Sequence, residues 1–119
     1  MAKKKILIID DEPEFVDIIK MRLEAQGYEV LSANDGQSGL EKAGKERPNL
    51  ILLDILMPKK DGYTFVRELK KDESLRHIPI IVLTGKPQMK DLFEMEGITD
   101  CIAKPFDSQE LIDKVSKNI

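Results

Sequence analysis

The residues of this 119-residue chain that could do chemistry are mostly carboxylates, and they stand directly after apolar runs. Asp10, Asp11 and Glu12 follow Ile6-Leu7-Ile8-Ile9, and Asp54 follows Ile51-Leu52-Leu53. Thr84 ends a third run and Lys104 follows a fourth. Carboxylates gathered in one crevice repel one another and need a cation, a shared proton or wide spacing. An Asp-rich oxygen site with few ligands suits Mg²⁺, which keeps several waters and binds one or two carboxylates plus a phosphate. Lys104 is a compact cation suited to a phosphate oxygen, and Thr84 brings a hydroxyl donor for another. A carboxylate such as Asp54 can also act as a nucleophile and form an aspartyl phosphate. Nucleophile, metal, cation and donor together are what phosphoryl transfer by positioning and charge neutralisation requires.

Taken singly, each residue has a plainer reading: Asp11 as a helix cap, Thr84 as a strand-end residue, Lys104 as a surface lysine. Their shared position at strand ends is what joins them, so the elements that carry them matter. The apolar runs are Lys5–Ile9, Glu29–Ala33, Leu50–Leu53, Ile80–Leu83 and Cys101–Ala103. The first, third and fourth are nearly continuous Ile, Leu and Val, as parallel strands covered on both faces require. Glu29–Ala33 is more polar and suits a sheet edge.

Helical periodicity fills the gaps. Asp11 is the expected cap of a first helix, with Pro13 in its first turn, Phe15, Ile18, Ile19 and Leu23 on its stripe and Gly27 as its stop. Leu40 and Ala43 mark a second helix, weakened by Gly39 and Gly44 and closed before Pro48. Phe65, Val66 and Leu69 mark a third. Met89, Leu92 and Phe93 mark a short fourth that stops at Gly97. Asp107 and Glu110 resemble a capping box for a fifth, with Phe106 stapled onto Leu111 and a stripe of Leu111, Ile112, Val115 and Ile119. Five strand–helix alternations imply an α/β fold: a doubly wound, five-stranded parallel sheet in the flavodoxin-like order 2-1-3-4-5, with five helices. Ligands of such sheets bind beyond the carboxyl ends of the strands, near the point where strand order reverses. Asp10, Asp11, Asp54, Thr84 and Lys104 are thereby expected around one crevice.

Composition sets the bounds. The length suits one domain, residues 1–119, with no room for a second core. Net charge is −3 with both signs mixed along the chain, which gives no electrostatic basis for nucleic-acid binding by this domain itself. No stretch approaches the roughly 20 apolar residues of a membrane span. The lysines at positions 3–5 precede too short an apolar run to form a secretion signal. A single cysteine, Cys101, excludes an internal disulfide and fits a cytoplasmic location. His77, the only histidine, lies in a polar turn and reads as a surface residue.

At its strand ends the sequence resembles the response-regulator receiver domain of two-component signalling, the CheY-like family, over essentially the whole chain. The matching segments are Ile6-Leu7-Ile8-Ile9-Asp10-Asp11-Glu12, Leu52-Leu53-Asp54-Ile55-Leu56-Met57-Pro58 with Asp61-Gly62, Val82-Leu83-Thr84-Gly85, and Lys104-Pro105-Phe106. The resemblance implies that Asp54 is the phospho-acceptor, taking the phosphoryl group from a partner histidine kinase or phosphotransfer protein, as in a phosphorelay. It implies that Asp11, Asp54 and the Leu56 backbone carbonyl bind Mg²⁺, with Asp10 acting mainly through water. Thr84 and Lys104 are implied to hold phosphate oxygens, and Lys104–Pro105 to be a cis peptide. It further implies slow self-dephosphorylation rather than enzymatic turnover, and a shift of the surface around the fourth helix, fifth strand and fifth helix where partners dock.

Two features depart from the family pattern. The aromatic usually found three residues before the lysine is replaced by Cys101, which puts an aromatic switch with Thr84 in doubt. The stretch from Thr84 to Lys104 is also about two residues short, so an abbreviated fourth-helix region is expected. Competing functions fit less well. A haloacid-dehalogenase-like phosphatase would carry a second Asp where Leu56 stands. A flavin-binding module would want a Ser/Thr/Gly-rich loop where Asp-Asp-Glu-Pro stands. A receiver-shaped interaction module that does not accept phosphate is the remaining alternative.

Overall fold

In the computed structural model, the described residues are 3–54, 62–84, 98–103 and 107–119. Their strands are β1 (Lys5–Ile9), β2 (Glu29–Ala33), β3 (Leu50–Asp54), β4 (Ile80–Thr84) and β5 (Asp100–Ala103). All pair in parallel, in the order β2-β1-β3-β4-β5. This is the flavodoxin-like order expected, with the more polar Glu29–Ala33 at one edge. Four helices are described: α1 (Pro13–Ala25), α2 (Gly36–Glu46), α3 (Gly62–Lys71) and α4 (Ser108–Asn118). The expected helix around Met89–Phe93 lies outside the described residues, as does Phe106 with its staple.

Alternation along the strands sorts the core into two layers. Leu7, Ile9, Ile51, Leu53, Ile80 and Val82 meet Ala43 of α2 and Phe65, Val66 and Leu69 of α3. Ile6, Ile8, Leu50, Leu52, Ile81, Leu83 and Ile102 meet Val16, Ile19 and Leu23 of α1 and Leu111 and Val115 of α4. A sheet buried on both faces explains why its central strands read as unbroken apolar runs.

The helix ends follow local chemistry. Gly27 has φ 95°, a left-handed conformation that costs glycine nothing. Its N–H donates to the Glu24 carbonyl at 3.0 Å and that of Tyr28 to the Leu23 carbonyl at 3.3 Å, the paired bonds of a Schellman motif. Asp35 caps α2, accepting the Ser38 N–H at 2.8 Å. Asp107 caps α4, accepting the Gln109 N–H at 3.3 Å. The cap of α1 falls on Glu12 rather than on Asp11. Pro13 occupies the first helical position, where its missing N–H costs nothing, and that fixes the cap one residue before it. The stripe of α1 also differs from expectation: Val16, Ile19 and Leu23 are buried, whereas Ile18 is 45% exposed.

Candidate functional site

The site is built where β1 and β3 stop. Ile9 pairs with Leu53 in the parallel ladder, so the residues that follow, Asp10 and Asp54, leave adjacent strands at the same level. The Asp10 N–H still pairs with the Ala33 carbonyl of β2 at 3.1 Å, which continues the sheet for one more residue. Asp10 and Asp54 are buried, at 2% and 7% exposure. Asp11 and Glu12 are exposed. Carboxylate oxygens of Asp10, Asp11, Glu12 and Asp54 all lie within 4.8 Å of one another. Four potential negative charges at that spacing are costly without a counter-ion. Hard, oxygen-only donors, some buried and some open to water, fit Mg²⁺, which keeps part of its hydration shell.

Local geometry holds the cluster in place. Asp10 Oδ1 accepts the Glu12 N–H at 3.0 Å, a side-chain-to-backbone turn that reverses the chain out of β1. The Glu12 carbonyl in turn accepts the Val16 N–H at 3.0 Å and so starts α1. Glu12 is anchored by its backbone on both sides.

Across the sheet, Asp54 pairs with Leu83 and Thr84 with Ala103. Thr84 is the last residue of β4, one step beyond the register partner of Asp54, and β5 ends at Ala103. Lys104, Leu56 and the Lys104–Pro105 peptide lie outside the described residues. The structure thus brings Asp10, Asp11 and Asp54 together and puts the backbone of Thr84 at the same end of the sheet. It adds Glu12, to which no role was attached in the sequence, although a third acidic residue directly after Asp-Asp was the available signal.

A cleft of about 470 Å³ opens beside the carboxylates, bounded by Asp10, Asp11 and Asp17 on one side and by Ser38 and Lys42 on the other. It lies on the β2 side of the site, and the Lys42 ammonium donates to the Ser32 carbonyl at its rim. At the far side of the sheet, Cys101 is half-buried against the α2–α3 layer. Burial pushes its thiol up from the ordinary value, so it packs as a neutral group. Its neighbour Asp100 is bound to α4: Lys114 Nζ donates to Asp100 Oδ1 at 3.2 Å and to the Cys101 carbonyl at 2.6 Å. His77 is exposed in the turn after α3, as expected. No helix among the described residues is long and apolar enough to cross a membrane.

Comparison with known proteins agrees with this geometry. A sequence model of the response regulator receiver domain matches residues 6–116. The chain is 40% identical over 113 residues to the DNA-binding dual master transcriptional regulator RpaA of a Synechocystis species, covering 93% of this chain and 47% of that protein. It spans about half the length of the curated relatives it matches. Among solved structures, the chemotaxis protein CheY4 of Vibrio cholerae superposes with a TM-score of 0.91 at 31% identity, over 99% of this chain and 100% of that one. The receiver domain of the sensor histidine kinase PA1611 of Pseudomonas aeruginosa, with a magnesium ion coordinated in its active-site cleft, superposes with a TM-score of 0.89 at 32% identity, over 98% of each chain. The fold, the acidic cluster at the ends of β1 and β3, and these likenesses agree, and the chain belongs to the response regulator receiver domain family, the phospho-accepting modules of two-component signalling.

Proposed function

We propose that residues 1–119 form one receiver domain that accepts a phosphoryl group on Asp54 from the phosphohistidine of a partner kinase or phosphotransfer protein in the cytoplasm. The observation that carries this reading is the convergence of Asp10, Asp11, Glu12 and Asp54 within 4.8 Å at the ends of two adjacent strands. In the transfer, an Asp54 carboxylate oxygen attacks phosphorus, a P–O bond forms, and the P–N bond to histidine breaks with the electron pair returning to the imidazole. Bound Mg²⁺ would neutralise charge on the phosphoryl oxygens. Asp11 and Asp54, with the Leu56 carbonyl, would hold it directly, and Asp10 mainly through water. Thr84 and Lys104 would donate to phosphoryl oxygens as they spread out in the transition state. Water attack on the acyl phosphate would return the free carboxylate slowly, so the domain resets without being an enzyme in the ordinary sense. The phosphoryl group would alter the partner-docking surface around β5 and α4. The output would be a protein partner or, by analogy with its longer relatives, an attached effector domain, with no nucleic acid bound by this domain itself.

The test is intact mass after incubation with a small-molecule phosphodonor, with and without Mg²⁺, for the parent chain and Asp54→Asn. One phosphate that requires Mg²⁺ and vanishes in Asp54→Asn is expected. No adduct, even with a trapped phosphoryl mimic, would leave a receiver-shaped interaction module that works without phosphate.

A further inference from the structure

We propose that Glu12 is a positioning residue of the metal site, holding a divalent ion through one of the ion's own waters and tightening its binding. The inference rests on the receiver reading above. Its starting point is geometric: the Glu12 carboxylate reaches the same cluster as Asp10, Asp11 and Asp54, with all four contributing oxygens inside 4.8 Å. An octahedral Mg²⁺ with bonds of roughly 2.1 Å spans about 4.2 Å between opposite ligands. Oxygens inside 4.8 Å of one another are close enough to share one such ion, directly or through one of its waters. Mg²⁺ takes one or two carboxylates directly and keeps several waters. With the inner places going to Asp11 and Asp54 in the reading above, Glu12, with its longer side chain, is left beside Asp10 to accept from a coordinated water.

Placement of Glu12 is fixed independently of any metal. Asp10 Oδ1 holds its N–H, and its carbonyl begins α1. Although Glu12 occupies the N-cap position, its side chain does not cap the helix; Glu14 supplies the acidic residue of the first turn. The backbone thus sets the carboxylate beside the cluster while the helix start makes no use of it. Outer carboxylates that accept from metal-bound groups typically change metal affinity by 10- to 100-fold when removed. A fourth negative charge should also repel the other three when no cation is present.

Mg²⁺ affinity measured by calorimetric titration separates the roles. Glu12→Gln should weaken Mg²⁺ binding about tenfold, and Glu12→Asp should weaken it less. Thermal midpoints give a second readout. Without Mg²⁺, Glu12→Gln should melt higher than the parent, because repulsion is relieved, and its Mg²⁺-induced gain should be smaller. An unchanged affinity in Glu12→Gln, beside a clear loss in Asp11→Asn, would overturn the role of Glu12 and leave the receiver reading intact. Equal destabilisation of Glu12→Gln with and without Mg²⁺ would make Glu12 a structural residue and overturn it as well. If Asp11→Asn also bound Mg²⁺ normally, the metal site itself would be wrong and the receiver reading would fail with it.

Discussion

Gly39 of α2 lies so close to Ile9 of β1 that a Cβ built on it would sit 2.5 Å from Ile9 Cδ1 and 3.0 Å from Cγ1. Ile9 is fully buried and immediately precedes the acidic turn, so this contact seats α2 on the strand that launches the site. A methyl group there forces the stiff, β-branched Ile9 out of its rotamer in a filled core, at about 1–3 kcal/mol. That outweighs the roughly 1 kcal/mol gained in helix propensity. Gly44, five residues along and on another face of the helix, meets nothing within 4 Å. Gly39→Ala should therefore lower stability in urea unfolding, and Gly44→Ala should raise it by about 0.5–1 kcal/mol. Equal shifts of the same sign in both variants would refute the close approach.

The same two glycines mark what sequence alone can express. Both read as burdens on a weak helix, because propensity is local and the strand behind Gly39 is not. Strands were legible nearly to the residue, since a sheet buried on both faces writes itself as apolar runs. The stripe of α1 was not: Val16 and Ile18 are both apolar, and either register satisfies the helical period, so only packing on β1 and β3 selects Val16. The cap was misplaced by one residue although its signal was present, as Pro13 at the first helical position commits Glu12 to the cap. Of the site, the strand-end carboxylates were legible because strand ends are. The side chain of Glu12 was not, because its approach depends on the turn that Asp10 makes.

Exposed apolar side chains on α1 bear on how a protein donor would reach Asp54, the proposed acceptor. Ile18 is 45% and Met21 64% exposed, one turn apart on the outer face of the helix that begins directly after Glu12. A protein carrying a phosphohistidine must dock within reach of the cluster, whereas a small phosphodonor need not dock at all. Ile18→Asp and Met21→Asp should each slow phosphotransfer from the partner kinase about tenfold, the effect of losing roughly 1.4 kcal/mol at an interface. Phosphorylation by the small donor and the thermal midpoint should stay within error of the parent. A loss with both donors would point to damage at the site instead of at a docking face.

Asp100 gives the chain a pH-dependent tie between β5 and α4. Burial alone would raise its carboxyl, but the Cys101 N–H at 2.8 Å and the Lys114 ammonium at 3.2 Å outweigh that and hold it below the usual carboxylate range. A depressed value in the folded state means stability that is present above the unfolded value, about 3.9, and lost as pH falls through the folded one. Asp100→Asn keeps an acceptor oxygen and removes the charge. It should cost about 0.5–1 kcal/mol near pH 6, as a partly exposed pair does, and the gap to the parent should close in acid. A gap that persists unchanged below pH 3 would assign the effect to packing.

Cys101 stands on β5, the edge strand opposite β2, and points its small side chain toward the α2–α3 layer. Its thiol, pushed up by burial, is neutral at pH 7 and should react with a thiol reagent more slowly than a cysteine in an unfolded peptide. A ring in this position could swing between a buried and an exposed place when the far end of the sheet changes; the thiol has neither the reach nor the area to report such a change. Beside the apolar packing of Ile102, Lys114 ties β5 to α4 through Asp100 and the Cys101 carbonyl. Cys101 is only half-buried on an edge strand, so Cys101→Tyr should fold. It should change affinity for a downstream partner by fivefold or more, while the rate of phosphorylation stays within about twofold, because the proposed acceptor Asp54 and the carboxylates around it sit at the ends of β1 and β3. Small, equal effects on both quantities would mean that the signal passes to the partner without using this position at all.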